Sequence, residues 1–381
     1  MESHDKDPTT DEGADPWNTF SEEFGGLGRS IRDTYRKAAA EGGPSEEEIR
    51  AAFGTLLEAW DQVAESVSAA LHDPEVRHKL QAAAGSFAAA VGKTISELGT
   101  ELKDADVGQS DETMPHPLIG VDQLAAEPAQ YRVCDLRWDL TDPDKGQATY
   151  RSGHIPGAVF VDLDRDLSAP PGIEGRHPLP DITDFAALLG RIGIAPDSHV
   201  VVYDDDGGRI AARLWWMLRA IGHDRVQVLD GGYQAWVAAG YGSEVGVVAP
   251  EPALYPERSG FRGVVNHDQL SGRTLVDARE AKRYRGEFEP VDPKAGHIPG
   301  AVNIPTSLNL EVDGRFRQPE ELAVVYSGLA PDPVVSCGSG VTACHDALAM
   351  VTARHHMPDV YIGSFSEWSR RDLPVATGPN P

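Results

Sequence analysis

The sequence predicts an α/β protein in which two tandem, duplicated parallel-sheet domains follow a small all-α domain. Two observations carry this. From residue 118 onward, short β-branched runs alternate with stretches of helical periodicity, the pattern of a parallel sheet covered by helices. That series is then written twice, with the same landmarks in the same order. GHIPGA stands at 153–158 and again at 296–301; Asp135-Leu-Arg137 returns as Asp277-Ala-Arg279. VVYD at 201–204 aligns with VVSC at 334–337, and Gly231-Gly-Tyr-Gln-Ala-Trp236 has a degraded echo in Gly363-Ser-Phe-Ser-Glu-Trp368.

Taken in chain order, residues 1–15 are polar and charged and are expected to be disordered. Over 16–103 the apolar residues recur at helical spacing. Trp17, Phe20, Phe24, Leu27 and Ile31 mark a first amphipathic helix; a second opens at Ser45, with Glu48 completing a capping box. A third begins at Asp73-Pro74 and carries Val76, Leu80, Phe87 and Val91. This stretch holds no catalytic constellation, and a helical module for a protein partner or self-association is the expectation. Residues 104–117 form a linker. The first α/β domain spans 118–244, with strands expected at 131–137, 198–204 and 225–230 and helices at 181–192, 210–221 and 233–239. A Pro-containing connector at 245–258 leads to the second domain, 259–381.

Composition narrows the function. The 381 residues carry 34 Lys+Arg against 60 Asp+Glu, a formal net charge of −26. Such a field repels phosphate backbones and anionic membranes, so neither nucleic acid nor a membrane is an expected partner. No apolar run is long enough to cross a bilayer, and the acidic, polar N-terminus has no signal-peptide stretch, so a cytoplasmic location is expected. The three cysteines, Cys134, Cys337 and Cys344, are too few for a disulfide framework and suit a reducing compartment.

The repeat supplies its own control for the chemistry. In the second domain, strand 334–336 runs into Cys337-Gly-Ser-Gly-Val-Thr and then a helix. Successive N–H groups in such a turn, together with the helix N-terminus, stabilise an anion, so a cysteine there makes a ready nucleophile. The first domain has Asp204-Asp-Asp-Gly-Gly-Arg at the same place and is expected to be inactive. Cys134, in mid-strand, reads as filler, and Cys344, inside the helix, as filler or a secondary redox residue. His154 and His297 occupy both GHIPGA turns, which argues for turn structure. Cys337, Cys344 and His345 lack a zinc-site spacing, so no metal is expected.

The tandem halves, the twice-used GHIPGA and the run Cys337-Gly-Ser-Gly-Val-Thr-Ala-Cys344 resemble the two-domain rhodanese superfamily over about residues 118–381, and within it the 3-mercaptopyruvate sulfurtransferases. The resemblance implies two rhodanese-like domains and a ping-pong sulfur transfer without a cofactor. Cys337 takes sulfur from a small-molecule donor as a persulfide and passes it to a thiol acceptor such as thioredoxin, or to cyanide. The backbone from Gly338 through Gly340 and Val341 to Thr342 would cradle the persulfide. A Ser–His–Asp relay maps onto Ser339, His177 and Asp164, the last two from the inactive half. Arg283 falls on the family's substrate arginine, and Trp138 matches an aromatic at the pocket mouth. One departure stands out: the family's second arginine, a little further on, has no counterpart in Glu289-Pro-Val-Asp292. Thiosulfate sulfurtransferases usually carry basic residues after the cysteine, and thiosulfate is the alternative donor. A phosphatase on this scaffold needs an arginine at the position of Ala343 and is excluded. A non-catalytic persulfide carrier recruited by the N-terminal helices is the alternative of another class.

Overall fold

The computed structural model describes residues 116–371 and 373–380. The tail, helices and most of the linker expected before residue 116 lie outside them.

Each half is built on a five-stranded, fully parallel sheet. In the first half the strands are β1 (Leu118–Ile119), β2 (Tyr131–Asp135), β3 (Val159–Phe160), β4 (His199–Tyr203) and β5 (Val226–Leu229), in the order β1-β5-β4-β2-β3. The second half has β6 (Val264–Val265), β7 (Leu275–Asp277), β8 (Ala301–Asn303), β9 (Val334–Ser336) and β10 (Asp359–Tyr361). Their order, β6-β10-β9-β7-β8, is the same topology drawn again. Central strands buried on both faces read as continuous apolar runs. In β4 this is His-Val-Val-Val-Tyr, with every residue after His199 buried.

The helix after β4 shows how the halves join. Ala211–Ala220 (α1) reads AARLWWMLRA and is apolar nearly all round. It packs against β4 and β5 of its own sheet and against Ala343–Thr352 (α2), the equivalent helix of the second half. Trp215 and Trp216 are fully buried, in a core cluster that runs without a break from Val202 through Leu214 to Ala347 and Leu348. A helix apolar on one face only could not be covered on both. The two halves share one core.

The doubled sequence landmarks are a doubled structural clasp. Arg137 donates to both carboxylate oxygens of Asp135 and, at 2.6 Å, to the carbonyl of Gly153, so the strand end is tied to the GHIPGA turn. Arg279 repeats this on Asp277 and, at 2.7 Å, on the Gly296 carbonyl. His154 and His297 are buried and stack on Tyr150 and Tyr284, each with Nδ1 at 2.8 Å from that tyrosine's carbonyl oxygen. Both histidines belong to the turns.

The first half has the same anion cradle and fills it with its own carboxylate. Asp204 follows β4 as Cys337 follows β9. One of its oxygens accepts the N–H groups of Asp206 and Gly208, the other those of Ile210 and Ala211, all at 2.8 Å. Asp204→Ala leaves these donors without their acceptor. It should lower the unfolding free energy by about 2–3 kcal/mol, measured by urea denaturation; an unchanged midpoint would show that the cradle is satisfied without the carboxylate.

Candidate functional site

The loop from Cys337 to Thr342 joins β9 to α2, and the chain's short-range chemistry sets its shape. Gly340 has φ +74°. A Cβ there would lie 2.3 Å from the Ile362 carbonyl oxygen, so only glycine fits both the conformation and the space. With the loop so turned, the N–H groups of Ser339 and Gly340 point at the Cys337 sulfur, at 3.4 and 3.1 Å. Ser364 lies under the same sulfur: its hydroxyl accepts the Cys337 N–H at 3.0 Å and stands 4.0 Å from Sγ. Ser364 holds a left-handed backbone, φ 51°, at the start of the helix Ser364–Arg370 (α3). Its only sequence signal was its place in the degraded echo of Gly231-Gly-Tyr.

Ser339, His177 and Asp164 come together across the two halves. The Ser339 hydroxyl lies 2.8 Å from His177 Nδ1, and His177 Nε2 lies 3.1 Å from Asp164 Oδ1. With Nε2–H donating to the carboxylate, Nδ1 is left to accept the hydroxyl proton. Trp138 extends the chain: its indole N–H donates to the other Asp164 oxygen at 2.8 Å, and its ring meets His177 edge-on. The hydrogen bond from His177 holds the Asp164 carboxyl below the usual range, with that from Trp138 acting in the same direction. Asp164 sits in a one-turn helix, Leu163–Asp166, whose N–H groups are capped by Asp162.

Arg283 stands in the short helix Ala281–Tyr284 and reaches the loop, but it does not come alone. It donates to Glu289 at 2.7 Å and to Asp292 at 3.2 Å. Arg176, from the inactive half, bonds the other oxygen of Asp292. Both guanidinium groups overhang Gly338: a Cβ built there would lie 2.8 Å from one Arg176 nitrogen and 3.5 Å from Arg283. Arg370 stands 3.8 Å from Asp292. Glu289 also faces Arg279, which has its own partner in Asp277. Three cations, Arg176, Arg283 and Arg370, thus share two anions, Glu289 and Asp292, leaving one positive charge beside the Cys337 loop. Glu289-Pro-Val-Asp292, where sequence reasoning looked for a second arginine, supplies the carboxylates that hold two arginines in place. Arg176 was missed because nothing local marks it: it adjoins His177 in sequence but serves the loop of the other half.

Cys134 and Cys344 are wholly buried, and burial pushes both thiols up to about 12. Neither ionises near neutrality. Cys344 instead donates its S–H to the Gly340 carbonyl at 3.3 Å.

Two parallel sheets of one topology, with a cysteine cradled by loop amides where the halves meet, define a tandem α/β protein with an anion-binding cysteine loop. The rhodanese-like domain model matches residues 121–239 and 265–371, and the chain belongs to that family. A Pseudomonas aeruginosa protein named probable 3-mercaptopyruvate sulfurtransferase is 44% identical over 280 residues, 68% of this chain and 98% of its own length. The thiosulfate sulfurtransferase of Rattus norvegicus is 36% identical over 260 residues, 64% of this chain and 86% of its own. Among solved structures, 3-mercaptopyruvate sulfurtransferase from Leishmania major superposes with a TM-score of 0.63 at 33% identity, over 68% of this chain and 76% of that one. The chain is an enzyme of this kind, a sulfurtransferase.

The two loop glycines should behave differently on substitution. Gly340→Ala should cost about 1–3 kcal/mol of stability through its backbone conformation alone, and persulfide formation with it. Gly338→Ala meets side-chain ends, of Arg176 and Arg283, and no backbone, so stability should hold while KM for the donor rises. Equal destabilisation of the two in urea unfolding would contradict this reading of the loop.

Proposed function

We propose that the protein transfers a sulfane sulfur from 3-mercaptopyruvate, through a persulfide on Cys337, to a thiol acceptor of the thioredoxin type or to cyanide. The supporting observation is the unbroken chain Ser339–His177–Asp164 at 2.8 and 3.1 Å, its histidine and aspartate brought to the cysteine loop by the half that has Asp204 where this loop has Cys337.

Cys337 thiolate attacks the donor sulfur. The carbon–sulfur bond breaks with its electron pair on carbon, leaving the enolate of pyruvate. That carbon must gain a proton, and the donor thiol must lose one. Ser339 and His177 can carry that proton from sulfur to carbon, the Asp164 carboxylate stabilising the imidazolium between the two steps. The products are pyruvate and an anionic Cys337 persulfide held by the amides of Ser339 and Gly340. An acceptor thiolate then takes the outer sulfur and returns Cys337 to its thiolate. Arg283 and Arg176 suit the donor carboxylate, since a guanidinium pair matches its two oxygens. The three free thiols suit a reducing, cytoplasmic setting.

Thiosulfate is the second reading, favoured by the surplus positive charge around Asp292. Its leaving group, sulfite, is a stable anion that needs no proton. The relay therefore separates the donors. Ser339→Ala should lower turnover on 3-mercaptopyruvate by roughly 10²–10⁴ and leave thiosulfate nearly untouched. Intact-mass measurement after donor treatment should find one added sulfur in the wild type and none in Cys337→Ser. Equal losses on both donors would reduce Ser339 to a loop-shaping residue. A wild type that prefers thiosulfate outright would replace the assignment.

A further inference from the structure

Arg213 is a fully buried cation with no carboxylate against it among the described residues. It projects from α1 of the inactive half into the shared core. Its guanidinium donates to three carbonyls: Gly340 at 2.9 Å, His177 at 3.0 Å and Leu167 at 3.5 Å. Its Nε has no partner. Withdrawing a charge from water without an opposite one costs several kcal/mol, and such a charge persists where something else requires it. The groups able to become anions beside Arg213 are two thiols that meet the same Gly340: Cys344 of α2, which donates to its carbonyl, and Cys337 of the loop, whose sulfur faces its N–H. Cys344 stays a thiol because burial pushes it up to about 12.

We propose that Arg213 is the buried counter-charge of the Cys337 sulfur, as thiolate and as persulfide, and that its fork fixes the loop and the relay histidine to one another. It never touches the donor and is a positioning residue. The two roles share one geometry. The Gly340 carbonyl that Arg213 holds belongs to the residue whose N–H points at the sulfur, and the His177 carbonyl to the residue that meets Ser339. The other charged or titratable groups around Cys337 are Arg176 and Arg283 with Asp292 behind them, the Cys344 thiol, and His177 with Asp164 by way of Ser339. None of these side chains is itself replaced when Arg213 is changed.

This rests on Cys337 being the sulfur carrier, but not on which donor loads it. The test therefore uses a neutral alkylating agent in place of a donor. The alkylation rate of Cys337 in the full chain, followed by mass spectrometry across pH, reports how much of the sulfur is anionic whether or not turnover occurs. Arg213→Met should slow alkylation at neutral pH about tenfold or more and displace the whole profile to higher pH, as expected when an opposite charge at close range is lost. Arg213→Lys keeps the charge without the fork. It should alkylate at close to the wild-type rate while turnover falls. A Met variant with an unmoved profile, or a Lys variant displaced as far as Met, would overturn the proposal and leave Arg213 a strut. Should Arg213→Met fail to fold, Arg213→Gln takes its place beside Arg213→Lys, and equal rates for those two overturn it as well. Failure of the wild type to form a persulfide would sink the sulfur-transfer reading instead.

Discussion

A reactive sulfur buried between two domains must have its charge stabilised by groups fixed in advance, because water is not there to do it. The loop from Cys337 to Thr342 meets that constraint with backbone N–H groups 3.1 and 3.4 Å from the sulfur. Those amides point correctly only while the loop holds its left-handed turn at Gly340, and the turn is clamped from both sides. Ile362 closes on it from its own half. Arg213 reaches it from the other. Moving any of these by an ångström would undo the cradle, which is why the surrounding core is continuous across the two halves.

That constraint gives a role to the half that has Asp204 where the other has Cys337. The first half satisfies its own cradle with Asp204. It presents His177, Asp164, Trp138, Arg176 and Arg213 to the active loop. A sulfur anion needs amide donors and positive charge; proton delivery needs a basic nitrogen and a carboxylate. Both sets are assembled across the interface: the first half lends Arg176 and Arg213 to the loop, and the second lends Ser339 to His177 and Asp164. Arg176 and Arg283 share the Asp292 carboxylate, so the anion site is likewise assembled from both halves.

Much of this was legible in the sequence because it is written in local or repeated patterns. GHIPGA and Asp-x-Arg appear twice because they form the same clasp twice, and runs such as Val200–Tyr203 read as buried strands. Strands β1, β3 and β6 were not expected, because two residues carry no periodicity. Ser339, His177 and Asp164 were reachable through the family resemblance, and the structure brings their side chains together. Arg176 and Arg213 were not reachable. Arg213 lies in a helix so apolar that its neighbours predict only core, and its partners are carbonyls 36 and 127 residues away. Long-range hydrogen bonds to backbone leave no mark on side-chain patterns.

The central claim is that Ser339, on the active half, and His177, on the inactive half, act as one proton-delivering unit. The direct measurement is a double-mutant cycle on turnover with 3-mercaptopyruvate, using Ser339→Ala, His177→Ala and the pair. Residues that act as a unit give strongly non-additive losses. The account predicts that the double variant is about as slow as either single one. Losses that multiply would mean that the two residues contribute independently, and the contact across the halves would then be packing alone.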